Sequence, residues 1–268
     1  MSHLMSRARI LPPPAVPRCQ AAEVPLIVAH RTVGVVTREA RSLARPRPAT
    51  PRGGGDVRGP NLDNHWVDLD EWRGARELWA FYVTFSEHSD LHDYVERQQA
   101  VLRDLGGLDW VLPGWLHLTV QGVAFADSLD EDAVGRLREA GAGVVADEGP
   151  QELVVDRAEI LHDAIALPVR AADGLQRTRN RLRDAAAEVL AGAELYRLPG
   201  SREAFAPHVT IAYARTDAPA VVDVESRLRL LDEPPLRLTA TYLSLVRLNR
   251  GGSRWWWRDE LRLPMRQG

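Results

Sequence analysis

The chain has 268 residues, of which 45% are hydrophobic and 26% charged, and its formal net charge is −3. This balance excludes a fibre, a membrane channel and a wholly disordered chain, and it suits one large globular domain or two small ones. The single cysteine, Cys19, excludes an intrachain disulfide and a cysteine-based zinc site, so we expect a reducing compartment, the cytoplasm.

Residues 1–65 are predicted to be a disordered, basic extension rich in Pro, Gly and Arg. Residues 1–60 hold ten Arg and three acidic residues, a balance of +7, which leaves −10 for the remainder. Such a composition without apolar periodicity does not build a packed core. The extension either binds RNA through phosphate contacts or has no role of its own. Its longest apolar stretch, 24–36, is interrupted by two polar residues, so neither a membrane span nor a signal peptide is predicted.

The folded domain, residues 70–268, is predicted to begin with a strand rich in aromatic and β-branched side chains. Helices follow where apolar residues recur in steps of three and four, and a capping box of Ser128 and Glu131 starts the second of them. The predicted elements of this half are strand 78–85, helix 89–105, strand 115–123, helix 128–144 and strands 153–161 and 164–169.

The second half repeats the order of strand and helix. Its predicted elements are helix 173–189, strand 207–213, helix 221–231 and two final strands, 236–248 and 255–263. The turn signal Arg250-Gly251-Gly252-Ser253 separates these last strands. The alternation predicts an α+β domain.

Two short motifs of the form His-apolar-Thr-apolar occur in corresponding strands of the two halves. They are 117–120 and 208–211, which lie 91 residues apart. Side chains alternate faces along a strand, so His117 and Thr119 share one face, and His208 and Thr210 do the same in the second half. If a pseudo-twofold axis relates the halves, the two pairs border one cleft.

Two imidazoles and two hydroxyls are suited to a phosphodiester. One imidazole can remove a proton from an attacking water while the other donates a proton to the departing oxygen. The threonines can donate hydrogen bonds to charge that develops on the phosphate oxygens. This chemistry requires no metal, no cofactor and no covalent nucleophile.

The paired motifs resemble those of the 2H phosphoesterase superfamily, in particular its 2′-5′ RNA ligase-like branch, over roughly 78–265. The resemblance implies a bilobal α+β fold in which two pseudo-twofold related lobes place antiparallel sheets along a central cleft, with helices outside. It also implies hydrolysis of 2′,3′-cyclic phosphates or related 2′-phosphodiesters of RNA ends or nucleotides, with His117, Thr119, His208 and Thr210 as catalytic residues.

Four other residues are candidate substrate contacts. Gln121 lies two residues after Thr119, and Trp115 shares the strand face of His117, where an aromatic ring can stack on a base. Tyr82 lies on the first strand, opposite its apolar neighbours. Arg247 carries a guanidinium group that suits phosphate oxygens.

Three alternatives remain open. The same site run in reverse is a 2′-5′ RNA ligase, a non-catalytic module would only bind RNA or nucleotides, and a specialised metabolite with a cyclic phosphate is a third substrate class. The acidic body favours a short substrate over a long nucleic-acid track. The chain is expected to be a monomer with no inferable protein partner.

Overall fold

A computed structural model describes residues 60–67, 69–74, 76–171, 173–191, 195–196 and 205–267. Most of the predicted extension, residues 1–59, therefore lies outside the described residues. No helix in the described part of the chain is long and apolar enough to cross a membrane.

The described residues form ten β-strands and four α-helices. The strands are β1 (Glu77–Thr84), β2 (Leu108–Trp110), β3 (His117–Phe125), β4 (Gln151–Val155), β5 (Glu159–Leu161), β6 (Ala164–Ala171), β7 (His208–Ala214), β8 (Leu236–Ala240), β9 (Tyr242–Arg250) and β10 (Trp255–Pro264). The helices are α1 (Ser89–Ala100), α2 (Glu131–Ala146), α3 (Asp173–Val189) and α4 (Val221–Leu228).

The fold is α+β, as predicted, with every strand pair antiparallel. The sheet has the strand order β10-β9-β1-β3-β7-β6-β4-β8, while β2 joins β7 and β5 joins β6. Helix α2 packs against α3 and against β9 and β10, whereas α3 also contacts β3 and α1 contacts β7. The main apolar core lies between these helices and the sheet, because the apolar stripes of the helices meet alternate residues of the strands.

A second, smaller apolar cluster lies on the other face of the sheet. It joins Trp72, Leu78 and Tyr82 to Val246, Leu248 and Trp257. Its members come from β1, β9 and β10 and from the segment before β1. The sheet is therefore covered on both faces near β1, and the open part of the second face lies over β3 and β7.

Three sequence predictions about element ends were wrong, and the first is the predicted strand 153–161, which is two strands, β4 and β5. Helix α2 is capped by Asp130, whose carboxylate accepts the backbone N–H of Ala133 at 2.7 Å, and not by Ser128. The predicted strand 236–248 is two strands, β8 and β9, which pair with β4 and β1 in different parts of the sheet. The sequence does not reveal this break, because residues of high β propensity continue on both sides of the bend. The chain stays extended there and only changes its partner strand.

Residues 60–67 pack onto the domain, so the folded region begins before residue 70. Asn61 forms a β-bridge with Ala220, and the backbone N–H of His65 donates to the carbonyl of Ala214 at 2.9 Å. Leu62 is buried in the main core. We call residues 60–67 the strap.

Candidate active site

The two His-apolar-Thr motifs lie side by side on the central strands β3 and β7. Their middle residues, Leu118 and Val209, are paired directly across the antiparallel ladder. A local twofold axis passes between directly opposed residues of an antiparallel pair, so this axis relates one motif to the other. Continued by one residue, the same register sets His117 opposite Thr210 and Thr119 opposite His208.

Both motifs open into one cavity of about 400 Å³, which we call the cleft. All four motif residues with polar side chains line it: His117, Thr119, His208 and Thr210. The structure therefore brings together the four residues that the sequence predicted as a catalytic set. Tyr82 and Trp255 also line the cleft, from β1 and β10.

Each motif histidine is oriented by a carbonyl two residues earlier. His117 Nδ1 is 2.8 Å from the carbonyl oxygen of Trp115, and His208 Nδ1 is 2.9 Å from that of Ala206. A carbonyl oxygen only accepts, so Nδ1 carries the hydrogen in both rings. In both histidines Nε2 is thereby the nitrogen available to a group in the cleft, which is the arrangement that a proton carrier needs.

Burial distinguishes the two imidazoles. His117 is 9% exposed, and burial lowers its pKa to about 4, an effect opposed in part by the Trp115 carbonyl and increased by the nearby His208. Tyr82 stacks on the His117 ring with centroids 4.3 Å apart, and Trp257 meets the same ring edge-on at 5.7 Å. His117 is therefore neutral near pH 7 and can accept a proton. His208 is only half buried.

Each motif threonine has a tyrosine phenol beside its hydroxyl. Tyr82 lies beside Thr119, and Tyr213 lies beside Thr210, and all four residues line the cleft. Burial raises the pKa of both phenols, so they stay protonated and can donate to the threonine oxygens. When the phenol donates, the threonine hydrogen can point at an anion in the cleft.

Two β-bulges decide which neighbours of the threonines face the cleft. Val120 is an extra residue in β3, since Tyr82 pairs with Thr119 but Phe81 pairs with Gln121. Directly paired residues share a face, and Phe81 packs against Gly141 of α2, so Gln121 belongs to the helix side of the sheet. Gln121 is fully buried and does not line the cleft, in contrast to the expectation from simple alternation.

The second bulge, in β7, turns a side chain towards the cleft instead of away from it. Ile211 is the extra residue in β7, because Ala166 pairs with Thr210 while Ile165 pairs with Ala212. The bulge restores Tyr213 to the cleft face, three residues after Thr210. Sequence reasoning missed Tyr213, although the sequence repeats an apolar β-branched residue after each threonine, which is the position of both bulges.

Trp115 lies in a side pocket next to the cleft. This pocket has a volume of about 310 Å³ and shares His117, Tyr213 and Trp255 with the cleft as a common wall. Trp110 lines it as well, and Arg254 and Asp109 supply one charge of each sign. Trp115 is therefore close to His117 but faces this neighbouring pocket.

Arg247 is not in the cleft. On β9 it pairs with Trp79, and both line a surface depression with residues of α2. Its guanidinium group forms ion pairs with Glu77 and, at 3.7 Å, with Asp259. The predicted contact between Arg247 and substrate does not fit this position, because Arg247 lies one residue out of phase with the strand residues that face the cleft.

Two further histidines line the cleft, His162 from the turn between β5 and β6 and His65 from the strap. His65 Nδ1 is 2.9 Å from a carboxylate oxygen of Asp163, and Trp255 Nε1 donates to His65 Nε2 at 2.9 Å. Both His65 and Asp163 line the cleft. No motif in the sequence marks His65, which stands in a polar segment before the first strand.

A polar network joins the buried residues Thr84, which is paired with His117, and Ser244 to the partly exposed Glu260. The carboxylate of Glu260 accepts from Thr84 at 2.7 Å and from Ser244 at 2.8 Å, and its second oxygen accepts from Trp257 at 3.4 Å. Burial alone would raise the pKa of Glu260, but these hydrogen bonds hold it below its ordinary value. The ionised carboxylate thereby fixes Trp257 against His117.

The described residues contain no cluster of three or more His, Cys, Asp or Glu side chains that could hold a metal ion.

The sequence profile of the 2′-5′ RNA ligase superfamily matches residues 64–252. No curated protein sequence matches the chain at a significant level.

Two solved structures are similar in fold. TT0787 of Thermus thermophilus is 22% identical, with a TM-score of 0.53 over 70% of this chain and all of that one. LigT of E. coli in its apo form is 16% identical, with a TM-score of 0.50 over 72% of this chain and 99% of that one. LigT complexed with 3′-AMP is 17% identical and gives the same score and coverage.

Proposed function

Because the chain belongs to the 2′-5′ RNA ligase superfamily, we propose that it is a metal-independent phosphodiesterase that opens 2′,3′-cyclic phosphates of RNA ends or nucleotides. The observation that carries this proposal is the direct pairing of Leu118 with Val209, which sets two His and two Thr side chains around one cavity. A phosphodiester needs a base, an acid and donors to its free oxygens, and these four side chains supply all three.

In the proposed reaction His117 is the general base. Its burial keeps Nε2 unprotonated near neutral pH, so it can accept a proton from water as the water oxygen bonds to phosphorus. His208, the more exposed imidazole, donates its proton to the ribose oxygen as the bond between that oxygen and phosphorus breaks. The proton that His117 gains and the one that His208 gives up exchange through solvent before the next turnover.

Thr119 and Thr210 stabilise the negative charge on the two non-bridging phosphate oxygens. Tyr82 and Tyr213 lie beside these hydroxyls and limit the reorganisation that is needed when the charge develops. Removing one such donor typically costs about 10²–10³ in rate.

The side pocket supports a nucleotide as the substrate. Its aromatic residues, Trp110, Trp115 and Trp255, adjoin the cleft at His117, and aromatic rings are the usual stacking partners of unpaired bases. The E. coli structure of LigT with 3′-AMP shows that a protein of this fold binds a nucleoside monophosphate. A base in the side pocket would place its ribose phosphate next to His117.

The test is turnover of the four 2′,3′-cyclic nucleotides, and of short RNA with a cyclic-phosphate end, in the presence of EDTA. We expect the parent to open the ring and His117→Ala and His208→Ala each to lose at least about 10² in rate, the range for a lost proton carrier. Arg247→Ala is the matched control and should keep parental turnover, because Arg247 lies outside the cleft.

A parent that opens none of these substrates would contradict the proposal, as would activity that EDTA abolishes and a divalent ion restores. Turnover that survives in both histidine variants would place the chemistry elsewhere.

A further inference from the structure

The strap contributes to the cleft although it precedes the first strand of the sheet. It is pinned along the loop after β7 by the bridge between Asn61 and Ala220 and by the bond from His65 N–H to the carbonyl of Ala214. Arg250 holds its other end, donating to the carbonyls of His65 and Val67 at 2.8 and 3.0 Å. The backbone of the strap at His65 is thus fixed from both sides.

Both ring nitrogens of His65 are occupied. Asp163 accepts from Nδ1, and an indole N–H can only donate, so Nε2 is the acceptor of the Trp255 bond. Burial alone would raise the pKa of Asp163, but the hydrogen bond from His65 lowers it, so the carboxylate is ionised. With no free nitrogen, His65 is not a proton carrier in this arrangement.

The face of the His65 ring, and not its nitrogens, contacts the residue that lies beside the second motif. The ring lies over Tyr213 with centroids 4.2 Å apart and planes inclined by 33°. Tyr213 in turn lies beside the hydroxyl of Thr210, and both residues line the cleft. A continuous path of contacts therefore runs from Asp163 through His65 and Tyr213 to Thr210.

We propose that His65 is a positioning residue, which holds Tyr213 and through it the hydroxyl of Thr210 in the direction that a phosphate oxygen requires. The effect on the reaction rests on the proposed function, whereas the effect on Thr210 does not. The phenol beside Thr119 belongs to Tyr82, which lies on β1 and stacks on His117 and not on a residue of the strap. The strap therefore acts on one motif only.

The kinetic test compares His65→Phe, Thr210→Val and the double variant on a 2′,3′-cyclic nucleotide. Phenylalanine keeps a ring over Tyr213 but loses both hydrogen bonds of the imidazole. We expect kcat to fall about tenfold with KM within about twofold, since a displaced donor should cost less than the 10²–10³ of a deleted one. In the Thr210→Val background the same change should cost less than about twofold, because its target is gone.

The matched control is His88→Phe, which changes a histidine at the start of α1 outside the cleft and should leave kcat unchanged. Equal losses from His65→Phe in both backgrounds would overturn the proposal, since a general structural effect does not depend on the Thr210 hydroxyl. A rise in KM at constant kcat would overturn it as well.

A second measurement needs no turnover. In the full chain with 13C-labelled threonine methyl groups, His65→Phe should shift the methyl resonance of Thr210 and leave that of Thr119 in place. An unmoved Thr210 signal, or equal shifts of both threonines, would overturn the positioning role. If the parent opens no cyclic phosphate, the proposed function fails, and this signal still decides the role of His65.

Discussion

At the scale of single residues, desolvation separates two imidazoles that the sequence presents as equals. His117 lies under Tyr82 and Trp257, and burial lowers its pKa to about 4. His208 has the same carbonyl contact but is only half buried. The difference assigns the role of base to His117 in the proposed reaction, an assignment that the residue types alone do not contain.

The first prediction concerns the acid limb of the pH profile. A base must be neutral to act, so kcat/KM should stay high as the pH falls and decline only near pH 4. At pH 5.5 an imidazole with a pKa of about 4 is almost wholly neutral, whereas an ordinary one with a pKa of 6.5 is about nine-tenths protonated. In Trp257→Ala, water reaches His117, so the acid limb should move up towards 6.5.

Trp256→Ala is the control, because Trp256 neighbours Trp257 on the same strand but points to the opposite face. The measurement is kcat/KM from pH 3.5 to 8 for the parent and both variants. A parental acid limb at pH 6.5, or the same limb in Trp257→Ala as in the parent, would show that burial does not set the state of the base.

The sequence predicted which side chains face the cleft only where side chains alternate strictly between the two faces of a strand. His117 with Thr119, and His208 with Thr210, are separated by two residues and precede the bulges, so they share a face as predicted. Gln121 and Tyr213 follow the bulges, and each lies on the face opposite to the one that alternation assigns. His65 could not be found from a pattern, because only the tertiary path of the strap brings it to the cleft.

At the scale of elements, the positions of helices follow from apolar periodicity, while their ends depend on single hydrogen bonds. The existence of α2 was predicted correctly, and Ala133 and Leu137 are buried on its inner face. Its cap was not, because Ser128 and Asp130 both have oxygens that can accept a backbone N–H. Ser128 instead donates to the carbonyl of Phe125 within a short 3-10 turn.

The second prediction tests this cap. Asp130→Ala should lower the free energy of unfolding by about 1 kcal/mol, since the first turn of α2 loses its side-chain acceptor and a favourable charge. Ser128→Ala should cost less, because Ser128 does not accept a helix N–H. Urea unfolding of both variants measures the difference, and a larger loss in Ser128→Ala would mean that the capping box predicted from the sequence forms after all.

At the scale of the whole molecule, the burial of His117, the proposed base, links the proposed catalysis to stability. In the unfolded chain His117 titrates near 6.5, whereas in the folded protein its pKa is about 4. Between these values the unfolded state binds more protons than the folded state, so stability rises with pH and is lost as the pH falls from 6.5 towards 4. The loss attributable to His117 amounts to about 3 kcal/mol at most.

The third prediction follows from this linkage. In His117→Phe the free energy of unfolding should depend less steeply on pH between 6.5 and 4 than in the parent, because the residue that resists protonation is gone. Denaturant unfolding at several pH values in this window measures both slopes. Burial lowers the pKa of His88 in the same direction, but His88 contributes equally to both curves, so the difference between the slopes reports His117. Parallel curves would contradict a desolvated His117.

In the proposed reaction, the twofold axis between Leu118 and Val209 implies that regioselectivity depends on residues outside the two motifs. After a half turn about this axis, a tetrahedral phosphate in the cleft meets the same kinds of groups, an imidazole and a hydroxyl on each side. The paired motifs alone therefore do not distinguish the 2′ oxygen of a ribose from the 3′ oxygen. That choice falls to features that break the symmetry, the burial of His117 and the side pocket beside it. Regioselectivity can accordingly diverge through substitutions in the pocket walls, while the two central strands stay as they are.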